Sequence, residues 1–432
     1  MARIYSFKIY NHFNNYLKRY LSNNVHDRSK TIYSVFKPYL DFDERLPNLE
    51  KLDDNIKLRG LDINLPSIVT LWKHYKNVRE DIVKLEEEKL KIVDELSLIK
   101  RSGDEDKIKS LKFAGVNVRE DLKRMKTVLN QLEEEIYPYV LKLPNDLLVK
   151  KEETLFSNEA KNTENVRDHI EVGEKLDLLE YISPQSYFLK GPAAMFELTA
   201  SEKLTKMFKN DHFILFSNPD FTRKSIVKYL HLDGGQSLLP LERQRDQQDV
   251  DILYLHGGAS CLPFACFHSK SITDSSNLPI RYISKGRHYS QSQLPGLYGV
   301  WQSTSVQIFI GTQEEFAEDH INKALNLLKE FYQNFDIPFR VIYCKPDVIS
   351  HSEKFRINFQ TYSPIYKQYM ELGHLSLYGD YISKRLRIYY SLEKSDKFLH
   401  IVSGTVLKIP PLLASLWEHG QALNVVLDKN KL

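Results

Sequence analysis

Residues 66–137 read PSIVTLWKHYKNVREDIVKLEEEKLKIVDELSLIKRSGDEDKIKSLKFAGVNVREDLKRMKTVLNQLEEEIY. In the first half, apolar residues fall at Ile68, Leu71, Tyr75, Val78, Ile82, Leu85, Ile92, Leu96 and Ile99, an alternation of three and four broken at Lys89. Side chains three and four apart share one helix face, so this is a coiled-coil seam. The second half repeats it at Val118, Leu122, Met125, Leu129, Leu132 and Ile136. Between them, Arg101-Ser102-Gly103-Asp104 supplies a helix stop and a new acidic N-terminus. The stretch predicts two helices folded back on each other, a hairpin of about 50 Å from roughly 34 residues at 1.5 Å each. Such an arm is too narrow to enclose a core, so it must reach for another molecule.

The 432 residues, 42% hydrophobic, are enough for a large core and two domains. A net charge of +3 confines any nucleic-acid surface to a local patch. Three cysteines, Cys261, Cys266 and Cys344, are too few for a disulfide scaffold and suit a reducing compartment. No apolar run of about 18 residues occurs, so no membrane span is predicted.

Residues 1–26 carry Arg3, Lys8, Lys18 and Arg19 and no acid, and their apolar residues gather on one helical face. A mitochondrial presequence needs this basic, amphipathic character, with Arg19-Tyr20-Leu21-Ser22 as a processing site. An N-terminal helix docked on the body is the structural alternative. The reading favours import into the mitochondrial matrix.

The segment 40–150 reads as a helical domain: a connector with a short helix from Pro47 to Leu58, then the hairpin from Pro66, whose missing N–H suits a helix start. Residues 150–166 are polar linker. Beyond them, short apolar runs (Phe213–Phe216, Ile252–Leu255, Val306–Ile310, Phe339–Tyr343, Leu386–Tyr390) alternate with helical stretches (Ala193–Phe208, Gln313–Phe335, Pro411–His419). This predicts an α+β domain over 160–432 on a mostly antiparallel sheet flanked by helices. Cys261-x4-Cys266-Phe-His268 lacks zinc spacing and a fourth ligand, and its cysteines read as buried strand residues.

Asn55-Ile-Lys-Leu-Arg-Gly-Leu-Asp62, the hairpin and Leu143-Pro-Asn145 together resemble the N-terminal half of a seryl-tRNA synthetase. Asp168-His-Ile-Glu-Val-Gly-Glu-Lys-Leu-Asp177, Phe188-Leu-Lys-Gly191, Leu278-Pro-Ile-Arg-Tyr282 and the terminal segment through Glu418 continue it in order. The resemblance spans most of residues 47–425 and implies a class II synthetase domain that activates serine with ATP.

The residues that chemistry requires are largely replaced. The family's Thr-x-Glu, which holds the serine amine, aligns with Gly258-Ala259-Ser260, and an ammonium there would lack its counter-charge. In Phe-Arg-Val-His-Gln-Phe-Glu-Lys, the arginine becomes Gly299 and the glutamate Thr304. Arg287 is the nearest equivalent of the upstream phosphate-binding arginine, with Tyr289 in place of the acid. Glu371 persists, but the metal-assisting serine becomes His374; the third-motif arginine becomes Pro411, which has neither charge nor donor. Lys408 cannot reproduce a bidentate guanidinium fork. Each lost clamp costs on the order of 10²–10³ in rate. The pattern predicts a pseudoenzyme with no catalytic residues, cofactor or metal, and a vestigial site at Arg287, Glu371 and Glu418. A divergent working mitochondrial seryl-tRNA synthetase using those three residues is the competing reading.

The hairpin keeps Lys89, Lys91, Lys100, Arg101, Lys107, Lys109, Lys112, Arg119, Lys123, Arg124 and Lys126. Such charge can neutralise RNA phosphates regardless of sequence; a solvated helical face is the bland reading, because acids are interspersed. In the family this arm grips tRNA. A basic leader, a synthetase scaffold and a dismantled pocket are together similar to the seryl-tRNA synthetase-like mitochondrial proteins of insects. That likeness implies a non-aminoacylating paralogue that binds mitochondrial tRNA(Ser) or other RNA and forms a heterodimer with the active mitochondrial seryl-tRNA synthetase.

Overall fold

The computed structural model describes residues 38–39, 42–102, 104–149, 151–158, 166–230, 238–241, 252–392, 395–421 and 423. The leader expected over residues 1–26 lies outside them.

Helix α1 (Leu49–Leu58) follows a 3-10 turn at Leu46–Asn48, and the Asn48 side chain caps it by accepting from the Lys51 amide. The hairpin consists of α2 (Leu65–Ser102, 38 residues) and α3 (Glu105–Val140, 36 residues). Asn64 caps α2 through the Ser67 amide, and Asp104 caps α3 through the Lys107 amide. Val78, Ile82, Ile92, Val118 and Leu122 are buried along the seam, with Leu85, Leu96 and Met125 packed beside them. Nearer the root, Ile68, Trp72 and Tyr75 pack on Ile136, Val140, Leu52 and Ile56. Each fully buried side chain of this size contributes about 1.5–3 kcal/mol, so the seam holds the arm without a globular core.

The second half is built on an eight-stranded sheet. Its strands in chain order are β1 (Glu153–Ser157), β2 (Ile214–Leu215), β3 (Ile280–Tyr289), β4 (Gln302–Thr312), β5 (Phe339–Tyr343), β6 (Phe355–Ser363), β7 (Gln368–Gly379) and β8 (His400–Lys408). The spatial order is β1-β5-β6-β7-β8-β4-β3-β2, antiparallel throughout except at the β2–β3 edge. One face presents Val306, Ile308, Ile310, Ile357, Phe359, Leu375, Val402 and Val406 to α4 (His169–Lys175), α5 (Gly191–Asn210), α7 (Ala317–Gln333) and α9 (Ile409–Glu418). The other face is polar toward one end, and the candidate site forms there.

Three local expectations are corrected. Cys261–His268 is a helix, α6, not a strand, because Ser260 caps it by accepting from the Leu262 amide. Leu386 ends helix α8 (Tyr381–Leu386), Arg387 turns at φ 55°, and the strand starts at Tyr389. Ile382 and Leu386, four apart and fully buried, supply the helical spacing. The helix expected from Gln313 begins with a 3-10 turn at Glu314–Phe316.

Arg59 joins the two halves. Its guanidinium donates to the Asn55 side chain (2.8 Å) and to the carbonyls of Ser350 (2.7 Å), Glu353 (2.6 Å) and Asn145 (3.3 Å). Asn145 in turn donates to the carbonyls of Ser352 and Tyr378, and Asn55 donates to Asn145. The two short motifs flanking the hairpin therefore meet on one loop of the second half.

Candidate functional site

A cavity of about 700 Å³ opens over the polar face of the sheet, lined by residues of β3, β4, β6, β7, β8 and the root of the arm. Ser303 and Gln307 of β4, Thr405 of β8, His374 and Tyr378 of β7 and Arg356 of β6 form its floor; Ser260, His288, Lys408 and Pro411 line it too. The floor is tied together: Gln307 donates to Ser403 Oγ and accepts from Thr405 Oγ1, each at 2.8 Å.

Its charges are already committed to one another. Lys408 Nζ lies 2.7 Å from Glu371 Oε1, and His374 Nδ1 approaches the same oxygen at 3.1 Å. Burial pushes the Glu371 acid upward, but Lys408, His374 and Arg356 outweigh it and hold the carboxylate well below its usual range. Arg356 makes a two-pronged pair with Glu353 Oε1, at 3.0 Å and 2.9 Å. Arg59 is saturated by carbonyl and amide oxygens. Burial first, then Lys408 and His374, depress His288 to about 3; burial and Arg356 depress His374 against the pull of Glu371. Among the described residues, no arginine or lysine on the cavity wall is left to meet a phosphate.

The replaced positions behave differently. A Cβ at Gly299 would meet the Leu294 carbonyl oxygen at 1.7 Å, so the neighbouring loop leaves no room for a side chain there. Pro411 lies in the first turn of α9, where its missing N–H does no harm. Gly258 receives the Asp220 carboxylate on its own amide at 2.7 Å. Ser260 is used as the α6 cap.

Of the three positions expected to form a vestigial site, the structure places only Glu371 on the cavity wall. Arg287 points away: it donates to Thr304 Oγ1 at 3.0 Å and lies 3.5 Å from Glu197 of α5. Thr304 donates to Glu197 as well, at 2.5 Å. The cause is strand alternation, since His288, the next residue, takes the cavity side. Glu418 is fully buried, accepting from His169 Nδ1 (2.8 Å) and the Tyr298 hydroxyl (3.1 Å), while the Leu297 amide donates to His169 Nε2. That network ties the first helix of the second half to the last. Sequence reasoning missed Arg356, His288 and Gln307 as wall residues; the cue was their place at every second position of long strands.

An ATP–magnesium group does not fit this donor set: Arg59, Arg356 and Lys408 on the cavity wall are each held by protein oxygens, and the Glu371 carboxylate carries a lysine and a histidine.

The family model for the tRNA synthetase class II core domain (G, H, P, S and T) matches residues 245–419. The serine–tRNA synthetase-like protein Slimp of Drosophila melanogaster is 31% identical over 412 residues, covering 92% of this chain and 88% of that one. The chain belongs to the seryl-tRNA synthetase family. The mitochondrial serine–tRNA ligase of Mus musculus is 24% identical over 442 residues, covering 92% of this chain and 83% of the ligase. The fold of this family member is shared by the seryl-tRNA synthetase of Pyrococcus horikoshii, solved as a complex with ATP, at TM-score 0.76 and 17% identity over 89% of this chain and 94% of that one.

The basic residues of the arm divide by environment. Lys107, Arg124 and Lys126 pair with Asp104, Asp121 and Glu86. Lys89, Lys91, Lys109, Lys112, Arg119 and Lys123 are exposed; the side chains of Lys100 and Arg101 lie outside the description. Lys109, Lys112, Arg119 and Lys123 fall at spacings of three, seven and four, one stripe along α3 beside the seam. Among the described residues no helix is long and apolar enough to cross a membrane.

Proposed function

We propose that this chain is a non-catalytic seryl-tRNA synthetase-like protein of the mitochondrial matrix. It binds tRNA(Ser) or other RNA along the arm and pairs with the active mitochondrial seryl-tRNA synthetase, supporting mitochondrial translation. The observation that carries the reading is the Lys408–Glu371–His374 cluster: the retained carboxylate is neutralised from within the protein, beside a filled arginine position at Gly299. Retention of the fold around a neutralised pocket favours a scaffold role over adenylation. On this reading, residues 1–26 are the import leader, 40–150 the RNA-binding domain with Lys89, Lys91, Lys100, Arg101, Lys107, Lys109, Lys112, Arg119, Lys123, Arg124 and Lys126, and 160–432 the synthetase-like domain.

Similarity to a mitochondrial serine–tRNA ligase supports the compartment and the class of partner. The arm's exposed stripe supports the RNA contact, because phosphate neutralisation needs charge and no base readout. The test is recovery of the tagged chain from mitochondria followed by native mass measurement. A one-to-one complex with the mitochondrial seryl-tRNA synthetase is expected; recovery only as a dimer of itself removes the heterodimer. Charge reversal at Lys109, Lys112 and Lys123 is expected to abolish RNA binding, and unchanged binding removes the arm as the contact.

A further inference from the structure

We propose that the outer half of the arm holds an unpaired nucleobase, stacked on Phe113 and flanked by Lys109 and Lys112. This rests on the RNA-binding reading and adds a base contact to its backbone contacts. Phe113 is 69% exposed, more than any other large apolar side chain among the described residues. Burying a phenylalanine stabilises by about 1.5–3 kcal/mol, so a free one is a forgone gain. The seam does not use it: Leu111, Ala114 and Val118 fill that role on this stretch of α3. Val116, one turn on, is 49% exposed. A Cβ built on Gly115 would meet Ile92 Cγ2 at 3.6 Å, so the 90–98 segment of α2 runs alongside, with Leu90, Val93 and Leu98 also exposed.

The surroundings select the occupant. Lys109 is one turn before Phe113 and Lys112 is adjacent; both are exposed and neither forms an ion pair among the described residues. Arg119 continues the line, while Asp106 and Glu120, seven residues to either side, bound the patch. An apolar pocket on a protein would gain little from free ammonium groups beside the ring. A nucleotide gains from both, because the ring accepts its base and the lysines its phosphates. Bases in a duplex are already stacked, so the site takes looped or single-stranded RNA.

The test uses the full chain with two labelled RNAs of equal length, a stem-loop with unpaired purines and a fully paired duplex. Phe113→Ala is expected to weaken stem-loop binding by about 5- to 150-fold, the equivalent of about 1–3 kcal/mol per stacked base, and duplex binding less than about twofold. Phe113→Trp restores the stem-loop. The slope of log affinity against log salt stays unchanged in Phe113→Ala and falls by about one to two in Lys109→Gln/Lys112→Gln. Equal losses on both RNAs, or no loss on the stem-loop, overturn the stacking site and leave RNA binding standing. Failure of the unaltered chain to bind either RNA removes both. Loss of a co-purifying protein in Phe113→Ala, with RNA binding intact, assigns the ring to a protein contact and overturns the proposal.

Discussion

The Lys408 ammonium lies 2.7 Å from the Glu371 carboxylate on the wall of a cavity with no uncommitted arginine or lysine among the described residues. The pair is partly wet, with side-chain exposures of 27% and 23%. Lys408→Met therefore leaves Glu371 with His374 as its hydrogen-bond partner and only the longer-range pull of Arg356, and the expected cost is about 1–3 kcal/mol, below the figure for a wholly buried pair. Adding Glu371→Gln recovers part of that loss. Urea unfolding of the single and double variants checks it; additive losses contradict a coupled pair.

An arginine placed at Gly299 is expected to destabilise the fold without giving exchange activity. The Cβ of Gly299→Arg meets the Leu294 carbonyl oxygen at 1.7 Å, and backbone at that distance must move. A loss of about 1–3 kcal/mol from overpacking is expected, with no gain in ATP–pyrophosphate exchange. Calorimetry and the exchange assay read the two effects separately.

Acid destabilises the fold through histidines. Burial holds His268 at about 4, and burial with Lys408 and His374 holds His288 at about 3, against 6.5 for a free imidazole. Below about pH 6.5 the unfolded chain takes up these protons while the folded rings stay neutral, so stability falls as pH falls toward 4. Each ring contributes up to about 1.4 kcal/mol per pH unit in that window. Glu371 is shifted in the same direction, but its contribution is present above 4.5 and fades only below it, so it adds nothing to the trend between pH 5 and 6.5. Denaturant midpoints at pH 5 and 6.5 should differ, and His268→Gln or His288→Gln should narrow the gap.

Much of this could be read before any coordinates. The 3-4 spacing from Ile68 to Ile136 specified the arm because a seam is local. That Gly299 and Pro411 bring no charge to the site was legible because residue identity alone settles charge. Three features were hidden. Arg287 looked like a phosphate ligand, yet which face a strand residue takes depends on register, and it faces Glu197. Lys408 seemed unable to replace an arginine fork; its real partner, Glu371, is 37 residues away and reached only by pairing β7 with β8. Arg59 carried no visible signal of its role, since its carbonyl acceptors lie on a distant loop.

The central claim is that this seryl-tRNA synthetase fold no longer activates serine. Serine-dependent ATP–pyrophosphate exchange by the purified chain, with an active mitochondrial seryl-tRNA synthetase as control, tests it most directly. The account predicts no exchange above the enzyme-free background at any serine concentration. Saturable, serine-dependent exchange would contradict it.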